Sequence, residues 1–261
     1  MPADQPGNPD TDFDLGEDEV DIELRSPLEI GQRLVALTAI AERQNLEFML
    51  GEASGDSAYE LETDWFDLLA WARRELGEFL LPGEMEILKT PPGSLNLEVL
   101  TPATYALEQA VALAWASEII PDHHVALPLN EDFHSQHEAV ERWRPKPWDV
   151  PDRKLRKLSL RSEESVWDER ERFATARIWW LTSFGAANDV NETSESLWAS
   201  VVENNWEDEA SSLFPTFDSM QEIDEETRRF LIGSLEEIVR ALTWSCGLGS
   251  SWDDVPWDDL A

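Results

Sequence analysis

The stretch TPATYALEQAVALAWASEI, residues 101–119, decides the fold. Thr101 followed by Pro102 is a helix start: a capping hydroxyl, then a ring that sets φ at the first helical position. The run AVALAWA, 110–116, carries apolar side chains on nearly every side of that helix. A helix without a polar face belongs in the middle of a core, so amphipathic partners must surround it.

Those partners can be read outward from it. RSPLEIGQRLVALTAIAERQ (25–44) opens with a capping box, Ser26 as N-cap, Pro27 at N1 and Glu29 reaching back, and sets Ile30, Leu34, Leu37 and Ala41 on one face. ETDWFDLLAWARRELGEFL (62–80) is a second helix, ended at Leu81 and Pro82, with Pro82 opening a short turn. SEESVWDERERFATARIWWLTSF (162–184) is a long helix starting at Ser162. DEETRRFLIGSLEEIVRALTWSCG (224–247) spaces Leu231, Leu235, Ile238 and Leu242 by four, three and four, with Gly247 as its C′ residue. Fainter helical patterns lie at 130–143 and 193–205. Strand-like alternation is scarce and neither Asn-Gly nor Asp-Gly occurs, so the expected fold is all-α: a single multi-helix, bundle-like domain over 25–261.

Two segments stand apart. Residues 1–24 combine Pro and Gly with nine acidic side chains and few large hydrophobics, a composition that cannot offset ordering entropy, and read as a disordered acidic arm. RPKPWDVPDRKLRKLSLRS (144–162) is a basic, Pro-containing linker between two halves of the helical domain. Its charge is either neutralised by acidic neighbours or offered to an acidic ligand.

Charge excludes whole classes of partner. With 55 acidic against 20 basic residues the net charge is −35, which argues against nucleic acid and against anionic membranes, both of which need basic surface. Two readings of the acidity stand: adaptation to salt, in keeping with only four lysines, or an acidic face for a basic partner protein. No run approaches the roughly 20 apolar residues of a membrane span. Cys246 is the sole cysteine and no basic residue precedes Arg25, so neither a disulfide nor a secretory signal is expected; the location read from these features is cytoplasmic.

Three segments resemble a bacterial family catalogued as domain of unknown function number 4272. RSPLEIGQRLVALTAIAER looks like its first helix, with a capped start and an Arg inside the apolar stripe. VWDERERFATARIWWL (166–181) is similar to its central helix, and LEEIVRALTWSCGLGSSWDDVPWDD (235–259) to its closing module: Ala-Leu-x-Trp, a glycine turn, then Trp-Asp-Asp. The likeness runs from Arg25 to Asp259 and the closing module is its distinctive part. It implies a bacterial source but no activity, since the family has none assigned. The family often has His and Asn in its closing helix, where this chain has Val239 and Thr243.

The closing module also reads physically. Trp244 and Trp252 each bring a large apolar area with one N–H, suited to locking a terminal segment onto helices. Arg33 lies between Ile30 and Leu37 on a face expected to be buried, and Arg177 between Phe173 and Trp180. A buried guanidinium requires a carboxylate, and Asp253 or Asp254 is the expected source, making a structural clamp of first and last elements. In the rival reading the two aspartates form a metal or ligand site, though the run lacks EF-hand spacing.

All four histidines, His123, His124, His134 and His137, fall within fifteen residues. His134 and His137 share a helical face, and Glu131 completes one Glu-x-x-His element; the di-iron pattern needs two. A zinc site including His123, His134 and His137 is geometrically open, without the spacing of a recurrent site. Cys246 has no neighbouring histidine, and no nucleophile elbow, Walker A loop or dinucleotide fingerprint is present. No catalytic residue, cofactor site or cofactor is therefore assigned. Thirteen tryptophans exceed what a core of this size needs, and Trp143, Trp148, Trp198, Trp206 and Trp257 sit in weakly patterned segments, as core filler or as a partner surface. These features lead to a non-enzymatic protein-binding module, inhibitor- or immunity-like, for a basic partner. The alternative is an enzyme with a metal-assisted site near 123–137.

Overall fold

A computed structural model describes residues 22–52, 55–95, 103–128, 130–180 and 224–255. Among the described residues there are eight α-helices and no strand, so the fold is all-α. In chain order they are α1 (Pro27–Glu52), α2 (Asp56–Trp71), α3 (Pro82–Lys89), α4 (Ala106–Ala116), α5 (Glu131–Trp143), α6 (Asp152–Leu155), α7 (Glu163–Trp180) and α8 (Glu225–Ser245). A π-helical turn, Ala72–Leu76, prolongs α2, and a 3₁₀ turn, Trp252–Asp254, follows α8.

The fully apolar helix is central. Packing runs in the order α7, α8, α4, α1, α2, with α4 in the middle and α5 against its side. Every residue of α4 except Leu107 is buried, and its alanines let α1 and α8 approach closely. On α1 the run Leu34–Ile40 is buried without interruption, because α4 covers one side and α2 and α3 another. Each large side chain so covered contributes about 1.5–3 kcal/mol.

The helix starts follow from local chemistry. Ser26 and Glu29 exchange both bonds of the capping box, Ser162 Oγ accepts from the Ser165 N–H, and Asp224 accepts from Thr227. The fainter pattern at 130–143 is a helix because Asn130 caps it through the Asp132 N–H. Thr101, Pro102 and the pattern at 193–205 lie outside the described residues.

Two segment boundaries need correction. Residues 22–24, expected to belong to the disordered arm, do not: Ile22 and Leu24 pack against the core, and the Arg25 N–H donates to Ser245 O at 2.9 Å. Averaging over an acidic segment hid these two apolar residues; residues 1–21 lie outside the described set. The stretch 144–162 is packed rather than strung as a linker. Leu155 of α6 is buried against α1 where Gly31 leaves room, a Cβ there falling 2.7 Å from Leu155 Cδ2 and 2.4 Å from Leu158 Cδ1. Besides Arg161, three of its seven basic side chains are spent internally, Arg144 on Glu42 and Glu141, Lys154 on the Trp143 and Arg144 carbonyls, and Arg156 on Asp152. Arg161 is held by the carbonyls of Trp115, Ile120 and Asp122 and stacks on the Trp115 ring at 4.4 Å.

Candidate functional site

The closing module is tied to α1 by cations on rings. Arg33 stacks on Trp252 with its guanidinium 4.1 Å from the ring centre, and Trp252 meets Trp244 edge-on at 5.2 Å. Arg25 lies 4.6 Å over Trp244 and donates to the carbonyls of Trp244 (2.9 Å) and Gly249 (2.7 Å). Gly247, at φ 75°, lets the turn pass so close that a Cβ would sit 2.4 Å from Glu23 O.

The carboxylates expected of Asp253 and Asp254 come from elsewhere. Glu84 of α3 holds Arg33 in two bonds, 2.8 and 2.6 Å, and its Oε2 also accepts from the Leu81 N–H. Arg177 pairs with Glu236 of α8 at 3.0 Å. Asp254 accepts from Ser250 Oγ at 2.6 Å, and Asp253 is exposed. A bidentate carboxylate on a neighbouring helix meets the planar fork better than an aspartate in a short turn. Val239 and Thr243 lie buried in α8, with the Arg170 Nε–H donating to Thr243 Oγ1 at 3.4 Å.

The histidines are dispersed. His134 pairs with Glu138 and His137 with Glu141, each along its own turn of α5. His124 Nδ1 meets Glu169 at 2.9 Å, a carboxylate already bonded to the Val125 N–H and to Arg172. His123 is exposed. Among the described residues no three His, Cys, Asp or Glu side chains gather with metal-ligand geometry.

The strongest surface feature lies on the α1–α2 hairpin. Leu61, Trp65, Leu68 and Leu69 face inward on α2. Tyr59 and Phe66, seven residues apart on one flank of α2, are 73% and 58% exposed, with Phe66 packed on the Trp65 ring at 4.5 Å; Phe48, on the α1 end of the hairpin, is 66% exposed. The hairpin also carries a group of carboxylates: partial burial and the charges of Glu42, Asp67 and Glu60 raise the Asp64 carboxyl above its ordinary range. The signal for this face was present in the sequence as aromatics on the polar side of an amphipathic helix.

Internal pairing leaves the acidity unneutralised. At least twelve of the twenty Lys and Arg side chains form ion pairs within the chain. Among the tryptophans, Trp65, Trp71, Trp115, Trp180, Trp244 and Trp252 are buried, Trp143 is partly buried and Trp148 is exposed; Trp198, Trp206 and Trp257 lie outside the described residues. Cys246 is buried, and burial pushes its thiol up to about 12, which leaves it protonated and unreactive.

Fold and surface together define an all-α, strongly acidic chain with exposed aromatics on its α1–α2 hairpin. No family model, curated protein or solved structure matches the chain.

Proposed function

We propose that the chain is a non-enzymatic, cytoplasmic protein-binding module that takes a basic, amphipathic segment of a partner protein on the α1–α2 face. The observation that carries this is the exposure of Phe48, Tyr59 and Phe66 on a hairpin that also holds the carboxylates of Glu42, Glu60 and Asp67 acting on Asp64. A basic segment relieves like-charge repulsion with its cations while its apolar side covers exposed rings, so one ligand satisfies both features. The mode is that of an inhibitor or immunity-type protein. Membership in the bacterial family of unknown function 4272 belongs to the same proposal and is supported by the closing module's sequence.

The test titrates the full chain with an amphipathic helical peptide of leucine and lysine and with its leucine–glutamate counterpart. The lysine peptide should bind at low salt and be largely released once the Debye length shrinks to about 3 Å near 1 M salt. The Tyr59→Ser/Phe66→Ser variant should lose most of that binding. Equal binding of the glutamate peptide, or affinity unchanged in the double variant, rejects the proposal.

A further inference from the structure

Beneath the closing turn lies a cavity of about 360 Å³, bounded by α1, α3, α4, α8 and Trp252. This falls within the ~300–1,000 Å³ of small-molecule sites. Part of its lining is apolar, formed by Leu37, Ile40, Leu81 and Ile87. Arg33, 6% exposed and stacked on Trp252, belongs to the polar part.

One donor in this polar part is unmet. Arg33 donates through Nη1 and Nη2 to Glu84, but its Nε–H, equally buried, has no acceptor among the described residues. The neighbouring carboxylates are already committed. Glu84 accepts from Arg33 on both oxygens and from the Leu81 N–H on Oε2, so it cannot turn to Nε without breaking three bonds. Glu237 accepts from the Gln109 amide and pairs with Arg240 at 3.4 Å, and Asp253 is exposed. A buried donor without an acceptor is costly, so a ligand atom that accepts from it recovers what the fold forgoes. Charge then selects the kind of acceptor. The lining sets three carboxylates, Glu84, Glu237 and Asp253, against two guanidiniums, Arg33 and Arg240, so no surplus positive charge is offered to an anion. An uncharged oxygen meets both conditions, and the apolar lining suits a hydrocarbon body.

We infer that this cavity binds a small, uncharged carbonyl compound with a short aliphatic body, such as a ketone or an ester. The carbonyl oxygen accepts from the Arg33 Nε–H, and the body lies along Leu37, Ile40 and Ile87. The inference is independent of the exposed aromatics of the α1–α2 hairpin, which are not part of this cavity.

The test is a ligand-observed NMR titration of the full chain with methyl pentyl ketone and with its isosteric alkene, in which a methylene group replaces the carbonyl oxygen. Hexanoate and n-hexylammonium serve as charged controls. The ketone should bind with Kd on the order of 1 mM or tighter, and both ions at least about tenfold more weakly. Arg33→Lys keeps a cation for Glu84 but removes the Nε–H, and should lower the ratio of ketone to alkene affinity by about tenfold. Comparing ratios cancels the different costs of taking the two probes out of water. Ile87→Phe narrows the apolar part of the cavity and should weaken ketone and alkene together. Thermal melts establish that each variant folds; if Arg33→Lys does not, Arg33→Met/Glu84→Gln, which removes both charges of the pair, takes its place. Absence of ketone binding, either ion binding as tightly, or affinities untouched by Ile87→Phe overturns the assignment. So does a ketone-to-alkene ratio unchanged in the Arg33 variant, which would mean that solvent already satisfies the Nε–H.

Discussion

The two ends of α1 are made from similar residues and meet opposite fates. From Ile30 to Ile40 the helix is covered by α4, α2, α3 and the closing turn, and even its arginine is buried under an indole. At its far end Phe48 and Met49 face solvent, as does Tyr59 of α2. Hydrophobicity does not distinguish the two ends. What differs is whether another part of the same chain arrives to cover them. Burial in between follows the same logic: Arg43 is fully buried because Glu47 and the Thr90 carbonyl meet it, while desolvation lowers its proton affinity.

The comparison can be broken first at its covered end. Trp252→Ala removes a buried indole and uncovers Arg33, and should cost about 3–5 kcal/mol in urea unfolding. A loss below about 1 kcal/mol would show that the closing turn is not part of the core.

The next effect concerns the middle of the fold and depends on pH. Glu108 of α4 is 3% exposed, its Oε2 has no hydrogen-bond partner, and burial raises its carboxyl to about 7. Between the ordinary 4.5 and about 7 the folded chain holds a proton that the unfolded chain releases, so stability falls as pH rises through that window. Glu108→Gln should therefore stabilise the protein by up to roughly 2–3 kcal/mol near pH 8 and change little near pH 4, as read by paired thermal melts. A gain independent of pH would instead indicate relief of packing strain.

The smallest expected effect sharpens the contrast. Tyr59→Ser/Phe66→Ser should alter stability by less than about 1 kcal/mol, because both rings are mostly solvated. Destabilisation as large as that of Trp252→Ala would make the outer face structural.

Legibility in the sequence tracked the range of the interaction. Ser26 with Glu29, Ser162 and the left-handed Gly247 all act within a few residues, and all were readable from local chemistry. Arg25 was missed because its partners lie 219 and 224 positions away. Arg33 was recognised as a buried cation, but nothing local indicated Glu84, 51 residues on, over Asp253. Leu155 and Leu158 were hidden among charges, since two isolated leucines make no period. The cavity has no local signature because five separate segments line it.

The span of the Arg25 contacts bears on synthesis. A ribosome emits Arg25 and Arg33 long before Trp244 and Trp252 exist, so the start of the first helix spends most of translation without its indole cover. Loop closure over some 220 residues must precede its protection, which makes a half-made chain, rather than the finished one, the species most in need of a chaperone.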